Sequence, residues 1–260
     1  MLKILISNDD GVDAPGINCL YDHLKEIAEV FVVAPVINQS GAGSSLTTNR
    51  PMKAKDVKQN FKSLNGRPVD CVHVGIHELC PWKPDMVISG INHGANMGED
   101  LLYSGTVGAA LEASGLLFPS IAISSAAFGQ PGSKGKEEPN FETAGLVAKH
   151  LVCHIESLTL NQSITLNVNV PNVPFTENLK VVKTKIGTWG LRNPPNKIKN
   201  SKGHIEYWTA HRNKYPLNDF ESDIATLERN EISITPISPN FLHGDSSNLL
   251  DDWLKVVFNK

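Results

Sequence analysis

The chain has 260 residues, 40% hydrophobic and 20% charged, with Lys and Arg totalling 24 against 27 Asp and Glu and a formal net charge of −3. That length accommodates a full α/β core, either as one large domain or as a main domain with an appendage, and so small a net charge provides no global field for a nucleic-acid polymer or a membrane surface. No run approaches the roughly 20 apolar residues of a membrane span, and Met1-Leu2-Lys3 leads straight to acidic residues without a signal-peptide pattern, so a cytoplasmic location is expected.

Lys3 to Ser7 reads as a buried strand that stops at Asn8-Asp9-Asp10-Gly11. In open parallel sheets ligands collect at the carboxyl ends of the strands, which places Asp9 and Asp10 where chemistry is done. Adjacent carboxylates repel each other and cost desolvation energy unless a cation offsets them, and hard oxygen donors suit Mg²⁺ or Mn²⁺. The same residues also make a good turn or helix cap, so this stretch alone leaves a structural role open.

Asp13 can cap a helix begun by Pro15, with Ile17, Leu20, Leu24 and Ile27 at helical spacing, and Val30 to Ala34 is a second buried strand ended by Pro35. Strand, helix and strand in so short a span make a βαβ unit and hence a parallel sheet. The small, polar loop Asn38 to Thr48 lacks the Gly-Lys-Ser/Thr ending of a P-loop, and no G-x-G-x-x-G occupies the first strand–helix turn, but the loop brings Ser40 to the edge that holds Asp9 and Asp10.

Met52 to Gly66 reads as a polar hairpin and Asp70 to Leu79 as a short helix. Met86 to Ser89 is a third buried strand opening into Gly90-Ile91-Asn92-His93-Gly94-Ala95-Asn96-Met97-Gly98, whose glycines let backbone approach a ligand closely. Asn92 offers a neutral carbonyl oxygen to a cation, and Asn96 an amide donor to a phosphate. Ser104 then caps an Ala-rich helix whose start presents Ser104, Gly105 and Thr106, a ready anion site because free N–H groups and the helix dipole both favour negative charge.

Pro119 to Ser124 is a fourth strand, Phe128 to Pro139 a rim or lid loop, Phe141 to Ile155 an amphipathic helix, and Ile164 to Val170 a strand returning to the sheet. The expected architecture is a Rossmann-like, mostly parallel sheet with helices on both faces over residues 1–174, followed by a C-terminal extension, 175–260. In that extension Lys180 to Ile186 and His204 to Thr209 read as strands around a basic segment, Trp189 to Lys202, an extended hairpin packing on the main domain or on another subunit. Ser222 or Asp223 caps a short helix through Glu228, Glu231 to Ile237 is a strand, and Leu249 to Phe258 is a terminal helix. Cys19, Cys71, Cys80 and Cys153 are scattered without paired short spacings and read as reduced thiols rather than disulfides or zinc ligands. Sequons begin at Asn38 and Asn161 and carry no weight without a secretory route.

Successive strand ends thus carry Asp9 and Asp10, then Ser40, then Asn92, with an anion-ready helix start close behind: a metal-plus-phosphate site by chemistry. The chain resembles the SurE family of metal-dependent 5′-nucleotidases over nearly its whole length, through Ile6 to Gly11, Ala34-Pro35 with Gln39 to Gly41, Ser89 to Asn96, Tyr103 to Val107, Leu166 to Pro171, Asp223 to Ala225 and Ser233 to Pro236. The resemblance implies hydrolysis of nucleoside 5′-monophosphates, with 3′-monophosphates and short polyphosphate as further substrates. It implies one Mn²⁺ or Mg²⁺ per subunit on Asp9, Asp10, Ser40 and Asn92, with Asn96, Ser104, Gly105 and Thr106 holding the phosphate. It also implies a homodimer or homotetramer that exchanges the C-terminal hairpin. His93 stands where the family more often has Arg, and Asn230 where it has Gly. Whether Asp9, Asp10 or a hydroxide on the cation takes the proton from the attacking water is left open.

Two other phosphate chemistries fit less well. An aspartyl-phosphate mechanism needs Asp-x-Asp-x-Thr after the first strand, and a receiver-like module needs an acceptor Asp after the third, where this chain has Ser89-Gly90-Ile91-Asn92. A nucleotide- or phosphate-binding module without turnover is the alternative.

Overall fold

The computed structural model describes residues 1–127, 139–155, 164–209 and 219–238. The expected rim loop, apart from Pro139, the terminal helix at Leu249 to Phe258 and the sequon at Asn161 lie outside the described residues.

The first strand, β1 (Leu2–Ser7), lies near the middle of a nine-stranded sheet. Its side chains alternate: Ile4 and Ile6 enter one apolar cluster with Ile17, Leu20 and Leu24 of α1 (Pro15–Leu24), while Leu5 enters another. On the first face α1 packs beside α4 (Phe141–Cys153); on the other lie α2 (Pro68–Val74) and α3 (Gly105–Gly115), which bring Cys71, Val72, Ala109 and Ala113 against Leu5 and Val33. Helices therefore cover both faces, as the apolar strands require.

The remaining strands are β2 (Ala28–Pro35), β3 (Ala54–Lys58), β4 (Phe61–Leu64), β5 (Met86–His93), β6 (Ser120–Ala126), β7 (Thr165–Pro171), β8 (Val181–Lys183), β9 (Asn196–Lys199), β10 (Ile205–Trp208) and β11 (Ile232–Ile237). The main sheet runs β3-β4-β2-β1-β5-β6-β7-β11-β8 and is parallel except at β3–β4 and β7–β11. From β1 the chain passes to β2 on one side and later to β5 on the other, so the strand order reverses between β1 and β5. Crevices at such reversals are where open α/β sheets bind ligands.

Local signals succeed and fail for identifiable reasons. α1 is capped by Ala14 rather than Asp13 and makes no side-chain cap bond, Pro15 alone supplying the starting φ. α2 starts at Pro68, not Asp70, because the Asp70 carboxylate accepts from Arg67 N at 2.7 Å and so closes the first turn; a π-helical turn, Gly75–Leu79, continues it. Asn230 takes φ 56°, the left-handed conformation that Asn tolerates, so the turn before β11 is kept.

The C-terminal third departs most from the expected pairing. A hairpin is present, but between β9 and β10: Trp208 faces Asn196 and Ile205 faces Lys199. The strand expected at Lys180 to Ile186 is β8, which joins the main sheet in parallel with β11. Backbone pairing cannot be read from apolar content, and Asn196 to Lys199, exposed and polar, carries no alternation to mark it as a strand.

Ser222 caps α5 (Asp223–Glu228) by accepting from Ala225 N at 3.2 Å, which frees Asp223 for another task. Fully buried, Asp223 accepts from Gly98 N at 3.0 Å, Gly187 N at 2.8 Å and Ile224 N at 2.8 Å, joining the segment after β5, the segment after β8 and α5 at one carboxylate. Removing it strands three amide donors from water. Asp223→Ala is expected to lower stability by about 2–4 kcal/mol, read as a drop in the urea midpoint; an unchanged midpoint would mean that the amides find other partners.

Candidate metal and phosphate site

The turn after β1 is set by Asn8. Its Oδ1 accepts from Gly11 N at 3.1 Å and its Nδ2 donates to Gly11 O at 2.9 Å, folding the chain back at a glycine with φ 109°. Asp9 and Asp10 are held inside that bracket, Asp9 buried at 4% exposure and Asp10 half-buried.

The two carboxylates have different surroundings. Asp9 Oδ1 accepts from Thr106 Oγ1 at 2.5 Å, and the Thr106 backbone also hydrogen-bonds the carboxylate. Gly105 allows this approach: a Cβ there would stand 2.7 Å from Asp9 Cβ. The N-terminus of α3, marked by the sequence as an anion site, thus also faces the Asp9 carboxylate through Thr106. Asp10 Oδ1 accepts from Asn38 Nδ2 and Oδ2 from His93 N, both at 3.3 Å.

Burial pushes the Asp9 carboxyl above the ordinary aspartate value; the Thr106 hydroxyl pulls it back, and the Asp10 charge pushes it up again. Burial likewise raises Asp10, opposed by the His93 N–H and the Asn38 amide. No described lysine or arginine forms an ion pair with either group. An acidic pair so placed fits a hard divalent cation.

The loop after β2 is tied to this pair. Gln39 N donates to Asp9 O at 2.6 Å, and Asn38 Oδ1 accepts from Ser40 N at 2.8 Å while its Nδ2 reaches Asp10. Ser40 is therefore fixed through Asn38, with its side chain exposed beside the acidic turn. Asn92 arrives by a register shift: Ser89 pairs with Ala122 but Asn92 with Ser124, so β5 carries one extra residue there. Gly90, at φ 141°, makes the bulge; a Cβ on it would lie 2.3 Å from Ile123 O. Asn92 Nδ2 donates to Gly94 O at 2.8 Å, leaving Oδ1 as the acceptor end.

Asn96 is anchored more than presented. Its N–H donates to Asn169 Oδ1 at 2.8 Å, its carbonyl accepts from Asn167 Nδ2 and Asn169 Nδ2, both at 2.9 Å, and its Nδ2 donates to Ser124 Oγ at 2.9 Å. One amide hydrogen remains for a ligand. Ser104 Oγ accepts from Val107 N at 3.1 Å as the cap of α3, which leaves its O–H to donate. The structure thus brings Gly105 and Thr106 against Asp9, with Asp10 beside it, and ties Ser40 and Asn92 in through Asn38, Gln39 and His93; it turns the Asn96 and Thr106 side chains toward protein partners.

Sequence reading missed Asn38 and the Asn167–Asn169 pair. An Asn two residues before the loop serine is an Asx-turn signal, and two alternating asparagines in an otherwise apolar strand are a sign of buried amides with a partner to hold.

Because burial raises both carboxyls, the metal-free fold gains stability when they are protonated. That gain is complete below the unfolded value, about pH 3.9, and is lost as pH rises through the raised folded values. Denaturant titration in chelator at stepped pH is expected to show this loss, to flatten in Asp9→Asn, and to be offset at neutral pH by Mn²⁺. A pH-independent midpoint in wild type would argue against charge burial. Gly105→Ala should cost about 1–3 kcal/mol and weaken Mn²⁺ binding, measured calorimetrically.

The chain is similar to known proteins over nearly its whole length. A family model described as "Survival protein SurE" matches residues 4–193. A "5′-nucleotidase SurE" of Pseudomonas putida is 41% identical over 254 residues, covering 98% of this chain and 99% of that one, and one of Ectopseudomonas mendocina is 40% identical over 257 residues, covering 99% and 100%. The crystal structure of the SurE protein from Aquifex aeolicus superposes with a TM-score of 0.81 at 34% identity, covering 98% of this chain and 99% of that one. With its acidic pair, glycine loop and capped helix assembled at the sheet reversal, the chain belongs to the SurE family.

Proposed function

We infer that the chain is a 5′-nucleotidase that hydrolyses nucleoside 5′-monophosphates to nucleoside and phosphate with the help of one divalent cation, and we propose the residues that carry the reaction. Membership of the family supports the activity, and the observation that carries the residue assignment is the adjacent pair of buried Asp9 and half-buried Asp10 with no described cationic side chain to offset it.

Asp9, Asp10, the Ser40 hydroxyl and Asn92 Oδ1 hold the cation, Mn²⁺ or Mg²⁺. When bound, that ion supplies positive charge that polarises the phosphoryl group and eases deprotonation of water. Thr106 acts through Asp9, fixing the carboxylate by its hydrogen bond. The Ser104 hydroxyl, the Gly105 and Thr106 end of α3 and the remaining amide hydrogen of Asn96 receive the phosphate oxygens as charge develops on them. Water attacks phosphorus, the P–O bond to the sugar breaks, and the nucleoside oxygen leaves with a proton while the attacking water loses one. Asp10, half-buried and edged by exposed His93, is the carboxylate placed to accept that proton at its Oδ atoms.

Residues 1–174 carry this chemistry and 175–260 serve assembly. Exposed Ile198, Ile205, Tyr207 and Trp208 on the β9–β10 hairpin support a homodimer or homotetramer built through it. Action on 3′-monophosphates and short polyphosphate belongs to the same reading, as does a cytoplasmic setting; no described helix is long and apolar enough to cross a membrane.

Phosphate release from a panel of nucleoside monophosphates is expected with Mn²⁺ or Mg²⁺ and to vanish in chelator. Asp9→Asn and Asp10→Asn should abolish it while the circular dichroism spectrum is kept; near-normal turnover in either would reject the assignment. Thr106→Ala should lower cation affinity by about 10–100-fold with less effect on phosphate inhibition, whereas Ser104→Ala should show the reverse. Nucleotide binding without phosphate release in any metal would favour a binding module instead.

A further inference from the structure

Away from the acidic turn, α1 and α4 face each other across a second group of metal-binding side chains. Cys19 and His23 are four residues apart on α1 and so share a stripe, and Glu142 stands in the first turn of α4 opposite them. A ligand atom from each of the three lies within 4.8 Å of the other two. His23 Nε2 and Glu142 Oε2 are 3.1 Å apart, close to the roughly 3.3 Å between two donors bonded tetrahedrally to one Zn²⁺.

His23 sits in a place made for its ring. A Cβ at Gly145 would stand 2.1 Å from His23 Cδ2, so α4 omits a side chain where the imidazole lies against it, and the His23 side chain is 14% exposed. Glu142 pairs with His23 and is 70% exposed at its side chain, so an ion held between them would keep one coordination position open to water. Lys149 of α4 pairs with Glu26, just past the end of α1, across the seam where the two helices pack.

We propose that Cys19, His23 and Glu142 form a second metal site, distinct from the Asp9–Asp10 site and suited to Zn²⁺ rather than Mg²⁺ or Mn²⁺. One thiolate, one imidazole and one carboxylate make a borderline-soft donor set, and three protein ligands with an open fourth position match zinc's tetrahedral preference, whereas the oxygen set at Asp9 and Asp10 suits harder ions. Cys19 is the free, half-buried thiol expected from the sequence, and the proposal departs from that expectation only in making it a zinc ligand. Without metal, burial and then the Glu142 and Asp22 charges push the Cys19 thiol up to about 11, so binding exchanges its proton for the ion: Cys–SH plus Zn²⁺ gives Cys–S–Zn⁺ plus H⁺, released to solvent. The ion would clip α1, which follows the acidic turn, to α4, whose Phe141 packs edge-to-face on His93 at 6.4 Å.

The test uses the Asp9→Asn, Asp10→Asn double variant and, independently, the wild-type chain saturated with Mg²⁺, so that a failure here is separable from a failure of the nucleotidase reading. After chelator treatment and dialysis against Zn²⁺, metal analysis is expected to give one zinc per chain, and Co²⁺ titration a near-ultraviolet thiolate-to-metal band. Cys19→Ser should remove that band, and Cys19→Ser and His23→Gln should each weaken zinc binding by roughly 100-fold without changing the circular dichroism spectrum. Less than stoichiometric zinc, a Co²⁺ spectrum lacking the thiolate band, or zinc and band both surviving in Cys19→Ser, which would assign them to another thiol, overturns the proposal.

Discussion

Two adjacent carboxylates, Asp9 buried and Asp10 half-buried, with no described basic side chain paired to them, are the constraint on which the catalytic edge depends. Such a pair is costly in a folded chain, and its surroundings respond in kind. The helix dipole of α3 and the Thr106 hydroxyl attend to Asp9, and the Asn38 amide and the His93 N–H attend to Asp10. None of these donors neutralises the charge; both carboxyls stay above their ordinary value. The arrangement leaves the remaining charge to be met by an ion, with Gly105 and Gly90 supplying the close approaches that side chains at those positions would prevent.

Residues far along the chain hold the rest of the edge. The segment from Asn96 to Tyr103, which leads into α3, is gripped from below by Asn167 and Asn169 of β7 and from the side by Asp223. Trp189 adds bonds from Nε1 to Met97 O at 3.1 Å and from N to Glu99 Oε2 at 2.9 Å, and the Arg192 guanidinium lies over the Tyr103 ring at 4.4 Å while pairing with Asp100. A single surface ion pair is worth little, but buried amides with matched partners fix one conformation because leaving any of them unpaired is expensive. The polar clamp therefore acts as the template on which the phosphate end of the site is set.

Much of this edge was legible in the residues. Apolar runs ending at Asp9, at Pro35 and at Ser89 mark buried parallel strands, and their ends converge because parallel strands share a direction; this is why the sequence leads to the expectation of Asp9, Asp10, Ser40 and Asn92 at one edge. What escaped depends on contacts between distant segments. The hydrogen bond from Thr106 to Asp9 spans 97 residues, and Asp223 reaches 125 residues back to Gly98; neither has a local periodicity. Exchange of partners in the C-terminal third escaped for a related reason, since Val181 to Lys183 and Asn196 to Lys199 are both short and differ only in which neighbour the fold offers them. Cys19, His23 and Glu142 are likewise unremarkable in sequence, with α4 bringing the third ligand from far away.

The position of β11 bears on how the chain reaches this state. It lies between β7 and β8 although it is synthesised after both, so β7 has only β6 beside it, and β8 has no neighbour in the main sheet, until β11 arrives. Until then β7 presents an open edge, the kind of surface that recruits other strands. Closing that edge spans the sixty residues between β7 and β11, an entropic cost carried late and by contacts of high sequence separation. The part of the sheet from β1 to β6, with the acidic turn, can therefore form before β11 is made, and β7 waits with one edge unpaired until β11 inserts beside it.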